Sequence, residues 1–279
     1  MGGVEQRRMC PNCRAFVSIK DKVCPYCEVQ LGPRAIDRRM PGEILGGLIP
    51  HARFTTTIIL ILNFGLYLAM VVYSFRAGNE NAWMGLDGRT LFDFGAKLRE
   101  AILLGQWWRL ITAGFLHGGM FHILMNSWVL FDLGTAVEQF YGTSRMLVIY
   151  FVSTVTGFAA SMYWNPGLSA GASAALFGLI GAMIALGAAE RTALGAAIKS
   201  MYLRWAIYGL IFGLLMPMID NAAHLGGLAG GFAAGYLAGT PRLIEDWRER
   251  LWRYAAYASI ALTVYAFFEM LRWLTRSPA

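Results

Sequence analysis

Long stretches without a single charged side chain leave this sequence few ways to fold. Residues 54–75, 146–164, 172–189, 205–219 and 222–239 contain no Asp, Glu, Lys or Arg, and 254–274 carries only Glu269 and Arg272, near its end. A helix needs about 20 mostly apolar residues to cross the hydrocarbon core of a bilayer, where backbone groups can pair only with one another. Only 15% of the 279 residues are charged, against roughly 25% in a soluble domain, so these runs are read as membrane spans. A further span, 110–137, is more polar and holds His117, His122, Asn126 and Asp132. Polar groups at membrane depth are costly and turn toward a bundle interior, so this helix is expected to line a site. The expectation is an all-α polytopic membrane protein with seven spans. A cleavable leader is not expected, because the first apolar run begins after residue 53 and is long enough to span.

Cytoplasmic loops of such proteins carry the excess of Lys and Arg. With the N-terminus placed inside, 17 of the 24 basic residues fall in inner segments, and Arg76, Arg89, Lys97, Arg99, Arg109, Arg272 and Arg276 fall outside. The sequence therefore predicts a cytoplasmic N-terminus and an outer C-terminus, in the cell or inner membrane if the source is prokaryotic. The net charge of +7 is accounted for by this topology, with no nucleic-acid partner required.

All four cysteines, Cys10, Cys13, Cys24 and Cys27, lie within residues 1–32, spaced C-x2-C-x10-C-x2-C. Two such knuckles can close four thiolates on one tetrahedral Zn²⁺, and a module of about thirty residues buries too little core to fold otherwise. Residues 1–32 are read as a cytoplasmic zinc-ribbon-like module that could dock a cytoplasmic partner. The other reading, redox-active or disulfide-bonded pairs, fits a reducing compartment poorly. Residues 33–53, with Arg34, Arg38, Arg39 and Arg53 among Pro and Gly, form a basic linker suited to anionic headgroups, which makes membrane lipids an expected partner. Residues 76–108 are too apolar for a plain loop and are expected to rest in the outer headgroup region. The core is assigned to 54–239, a cytoplasmic loop to 240–253, and the seventh helix and tail to 254–279.

Ser173 follows Gly171 and Ala172 after an Asn165-Pro166-Gly167 turn, at the start of an apolar helix. Free N–H groups at such a helix end suit a developing oxyanion, although a serine among small residues is by itself commonly a packing residue. His224 is the sole side chain between Asp220 and Arg242 that titrates near neutral pH, and an imidazole in lipid needs a polar partner. Gly227, Gly231, Gly235 and Gly239 recur every four residues, leaving one helix face nearly bare. The fourth span has its own stripe, Ser173, Phe177, Gly181 and Ala185, with Gly178 and Ala182 beside it. Two bare faces let helix axes approach closely enough for a short serine to reach a histidine that can act as general base. His122 and Asn126, four apart, present two donors toward one point, as an oxyanion site requires.

Taken together, these residues resemble the rhomboid intramembrane serine proteases. The resemblance covers roughly 106–239. It rests on Trp108-Arg109; His117 with His122 through Asn126; Glu138 with Gly142 and Arg145; Gly171-Ala172-Ser173; and Ala223-His224 with Gly227 and Gly231. It implies a six-helix core, to which the C-terminal helix adds a seventh (6+1), with Ser173 as nucleophile and His224 as base. It further implies His122 and Asn126 as oxyanion donors, supported by His117 and Gly171, and no third acid. Catalysis then needs no cofactor. The resemblance also places Phe177 as a ring packed against the catalytic histidine. Ala174 stands where the family usually has Gly. The expected activity is a serine endopeptidase acting on transmembrane segments of protein substrates, with its site opening toward the outer face. The alternative is a non-proteolytic, helix-binding quality-control protein whose metal module recruits a partner. A transporter is disfavoured by the lack of paired intramembrane carboxylates.

Overall fold

The structure, a computed structural model, describes residues 7–10, 12–13, 15–18, 21–31, 53–241 and 246–276. The expected basic linker lies outside the described residues apart from Arg53, as do residues 242–245 of the expected cytoplasmic loop. The chain divides into two compact units, 1–51 with 242–250, and 52–241 with 251–279.

The first unit contains a small hairpin, β1 (Arg7–Met9) against β2 (Phe16–Ser18), antiparallel with Arg8 opposite Val17. An isolated bridge joins Val23 and Gln30. Among the described residues its core is Cys10, Val17, Cys24 and Leu31, with Cys27 and Val29 against them, so the cysteines supply much of what is buried there.

The second unit is helical. Its elements are α1 (Phe54–Arg76), the short α2 (Gly88–Asp93), α3 (Arg99–Leu103) and α4 (Arg109–Thr112), then α5 (Met120–Val129), α6 (Thr135–Trp164), α7 (Ser173–Ala189), α8 (Ala193–Leu215), α9 (Asn221–Ala238) and α10 (Trp247–Arg276). A π-helical turn, Leu130–Gly134, joins α5 to α6. Within α6, Gly142 has φ 72° and ψ 163°, a conformation only glycine adopts freely, so the helical run breaks there. Counting α6 on each side of this break, the seven expected long helices are present. Among the described residues four helical stretches are long and apolar enough to cross a membrane, Phe54–Arg76, Met120–Trp164, Ala193–Leu215 and Trp247–Arg276. The remaining two are α7, which is buried nearly throughout, and the glycine-rich α9, which exposes Leu225, Tyr236 and Leu237.

Two expected boundaries shift. The polar span begins at Met120 rather than at 110, because 110–119 is taken up by α4, a 3₁₀ turn (Ala113–Phe115) and extended backbone. Its composition is apolar because it is buried in the protein, a use that hydropathy cannot separate from lipid contact. The fifth span begins at Ala193, earlier than 205, with Lys199 and Arg204 exposed on its first turns, where long side chains can reach an interface. Residues 76–108 fold into a structured element. Asp87 caps α2 through Thr90 N–H at 2.8 Å and accepts from the Ser74 hydroxyl at 2.7 Å.

Buried charges tie the helix ends. Glu138 accepts from the N–H groups of Thr55 and Thr56, at 2.8 and 3.2 Å, which have no acceptor within α1. Arg145 donates to Ala238 O in the last turn of α9 at 3.3 Å. Arg109, wholly buried, donates to Phe92 O and Ala96 O and lies over the Phe92 ring at 3.9 Å. Helix α7 is apolar all round and buried from Ala174 to Gly187, which makes it the axis of the bundle.

Candidate active site

The approach of α7 to α9 is closer than side chains would permit. A methyl group built at Gly227 would lie 2.0 Å from Ala174 O, and one at Gly231 would lie 2.0 Å from Gly178 O. At Gly235 it would lie 2.8 Å from the Ala182 Cα. The facing stripe on α7 is therefore Ala174, Gly178 and Ala182, one residue on from the expected Ser173, Phe177 and Gly181, with Gly178 and Ala182 already expected beside it. Gly181 does belong to the contact, against Leu228 O. Gly239 departs from the expected face: it ends α9 with φ 56° and nothing near it.

That packing brings Ser173, the first residue of α7, beside His224 in the first turn of α9. His224 Nε2 lies 2.9 Å from Ser173 Oγ. Phe177, one turn along α7 from the serine, stacks on the imidazole with ring centres 4.1 Å apart and planes 14° from parallel. The Phe177 ring in turn abuts the bare backbone of Gly209 on α8, a contact the sequence reading did not contain. His224 Nδ1 is buried with no hydrogen-bond partner among the described residues, so ring stacking rather than a carboxylate holds the imidazole in orientation.

His122 approaches from α5. A methyl built at Gly171 would lie 2.8 Å from His122 Nε2 and 3.5 Å from Ser173 Oγ. Gly171, at φ 148°, thus passes between the two with no side chain in the way. The Gly118 N–H is directed at His122 Nδ1 at 3.4 Å, which favours the tautomer carrying its proton on Nε2, the atom facing Gly171 and Ser173. Asn126 lies one turn further on, and its amide nitrogen is buried with no partner among the described residues. The N–H groups at the start of α7, including that of Ser173, have no intrahelical acceptor either. His117 is wholly buried and packs edge-to-face on His122 at 5.1 Å. The methyl of Ala174 points into a recess left by Gly157, where a second methyl would lie 2.8 Å away. It packs with Ala113, Phe158 and Ala223, so this departure from the usual glycine is absorbed by packing.

In the N-terminal unit the four cysteine sulfurs lie within 4.8 Å of one another, with Cys10 to Cys27 and Cys13 to Cys24 both at 3.6 Å. That is far beyond a bonded S–S length of about 2.0 Å. It agrees with the edge of about 3.8 Å that Zn–S bonds of about 2.3 Å impose on a tetrahedron. The Val29 N–H, aided by Asn12, draws the Cys27 thiol down to about 6. Although the Ala15 N–H favours its thiolate, desolvation and the neighbouring thiols push Cys13 up to about 12. A cation held among the four sulfurs would draw all of them into the thiolate form, and the cluster is compatible with zinc.

What the fold and these groups define is a multi-pass helical membrane protein with a serine hydroxyl against an imidazole inside the bundle. Residues 104–241 match the Rhomboid domain, and the chain belongs to the rhomboid family. It is 42% identical over 177 residues to the Rhomboid protease GluP of Bacillus subtilis (strain 168), covering 63% of this chain and 35% of that protein. Rhomboid-like protease 2 of Toxoplasma gondii is 36% identical over 177 residues, 61% of each chain. The Inactive RHOMBOID-like protein 8 of Arabidopsis thaliana is 35% identical over 160 residues, 56% of this chain and 45% of that one. The chain thus spans between about a third and three fifths of the length of these relatives.

Proposed function

We propose that the protein is an intramembrane serine endopeptidase that hydrolyses peptide bonds in or near transmembrane segments. The observation that carries this reading is the 2.9 Å contact between Ser173 Oγ and His224 Nε2. Because one relative is named inactive, the fold alone does not carry it. His224 takes the Ser173 proton as the oxygen attacks a substrate carbonyl, then returns it to the leaving amine. The resulting acyl-enzyme is released by water through the same base. His122 Nε2–H, the Asn126 amide and the Ser173 N–H are the donors for the oxyanion, each typically worth about 2.7 to 4 kcal/mol. Helical substrates shield their carbonyls, so segments with small or helix-weakening residues near their outer ends are the expected class. The N-terminus is cytoplasmic and the site opens outward, as the distribution of basic residues favours.

A fluorophosphonate probe tests the reading directly. Labelling is expected at Ser173 in the wild type and is expected to vanish in His224→Ala. A wild type that takes up no label, or labelling indifferent to His224, would favour a non-proteolytic, helix-binding role instead.

Zinc in the N-terminal module is structural in this reading, since chemistry at Ser173 requires no metal, and the module offers a cytoplasmic partner a folded surface. Metal analysis of the purified protein should return about one zinc per chain, and Cys24→Ser should lose it while Ser173 labelling persists. Protein purified without chelators that holds no zinc contradicts the assignment.

A further inference from the structure

Lys97 is wholly buried, an unusual place for an ammonium group. Its Nζ donates to Asn165 O at 2.5 Å and to Gly167 O at 2.8 Å, and lies 4.0 Å from Asp220 Oδ2. Its backbone forms a two-way bridge with Ser169, at 2.8 and 2.9 Å. Lys97 therefore grips, by side chain and main chain alike, the loop that runs directly into Ser173. Asp220 sits at the other end of the pair. Its Oδ1 caps α9 by accepting from Ala223 N–H at 3.1 Å, and its Oδ2 accepts from the Ser161 hydroxyl. Its backbone carbonyl takes the His224 N–H at 3.1 Å.

We propose that Lys97 and Asp220 are a positioning pair for the reaction: one buried ion pair fixes the loop before the serine against the first turn of the histidine's helix. The proposal rests on the reading of Ser173 and His224 as nucleophile and base. The chemistry favours a geometric role. Burying two charges is a poor way to gain stability, and a well-packed apolar pair of similar volume commonly does as well. An ammonium has directed donors, however, and here two of them hold loop carbonyls while its charge lies 4.0 Å from the carboxylate that caps α9, which an apolar side chain cannot do. Neither residue touches the reacting atoms, so both act through Ser173 and His224.

The test uses the full-length protein in lipid nanodiscs, with a transmembrane-segment substrate and the fluorophosphonate probe. Wild type is compared with Lys97→Arg, Lys97→Met, Asp220→Asn and the Met/Asn double variant. Displacements near 1 Å at a reacting centre cost about 10²-fold. Lys97→Met and Asp220→Asn are accordingly expected to lower kcat and the Ser173 labelling rate by about 10- to 100-fold, with KM nearly unchanged. Lys97→Arg is expected to recover most of the rate, and the double variant to be no slower than the slower single one. Circular dichroism and thermal unfolding give the folded fraction. The proposal is overturned by wild-type kcat in both single variants, by rates that fall only with the folded fraction, or by failure of both to fold. A wild type that neither labels nor cleaves removes the underlying reading and the pair's role with it; a labelled wild type with unaffected variants removes the pair's role alone.

Discussion

Ser173→Ala is expected to slow cleavage of a transmembrane-segment substrate by on the order of 10⁴-fold or more, as measured by product formation in nanodiscs. His224→Ala should match it, and the double substitution should add little, because groups that pass one proton between them fail together. The effect follows from the 2.9 Å contact between Oγ and Nε2, which provides the only base in reach of the hydroxyl among the described residues. His122→Ala should cost less, about 10²- to 10³-fold, because one donor is lost while Asn126 and the helix-end N–H remain. Cleavage by Ser173→Ala at an appreciable fraction of the wild-type rate would assign the nucleophile elsewhere.

The second large effect is mechanical. In Gly231→Ala the new methyl group falls 2.0 Å from Gly178 O and 2.4 Å from its Cα. Backbone atoms on a buried helix cannot turn aside as a side chain can, so α9 must shift by more than an ångström to reach contact distance. Overpacking of this kind costs about 1–3 kcal/mol in a core, and the shift is carried to His224 in the same helix, where it should cost about 10²-fold in rate. Gly65→Ala in α1, which would meet nothing within 4 Å, is the matched comparison and should leave both stability and rate unchanged. Thermal unfolding and kcat on the pair of variants measure this. A Gly231→Ala protein that is as stable and fast as wild type would mean that α7 and α9 do not lie as close as described.

Much of this site could be read from the sequence, for a definite reason. Ser173, His224, His122 with Asn126, and the glycines of α9 announce themselves by spacing within single helices, and helical periodicity is local. The four cysteines are legible in the same way. What the sequence hid depends on how helices pair. The facing stripe of α7 could be placed only to within one residue, since 3.6 residues per turn sets two small-residue stripes side by side, one of them interrupted by Phe177. The innocence of Ala174 depended on Gly157, in another helix. The start of α5 at Met120 was masked because 110–119 is as apolar as a span while folded as irregular structure. Lys97 and Asp220 looked like ordinary loop residues, and only their meeting in space makes them a pair. Phe177 was expected on the imidazole by resemblance, but its backing by Gly209 was not, because no pattern links α7 to α8 at that point.

The length of α7 has a consequence of its own. With 17 residues at 1.5 Å each, it is about 26 Å long, short of the roughly 30 Å of oily interior it must traverse. One end of a rod this short must be recessed in such an interior, and the proposed hydrolysis requires that it be the end that carries Ser173. Hydrophobic mismatch of this sort draws the surrounding lipid down or lets solvent sink to meet the protein. The proposed hydrolase needs a water molecule for every bond it breaks, and a strut cut short would bring the aqueous phase to the Ser173 hydroxyl without boring a channel for it.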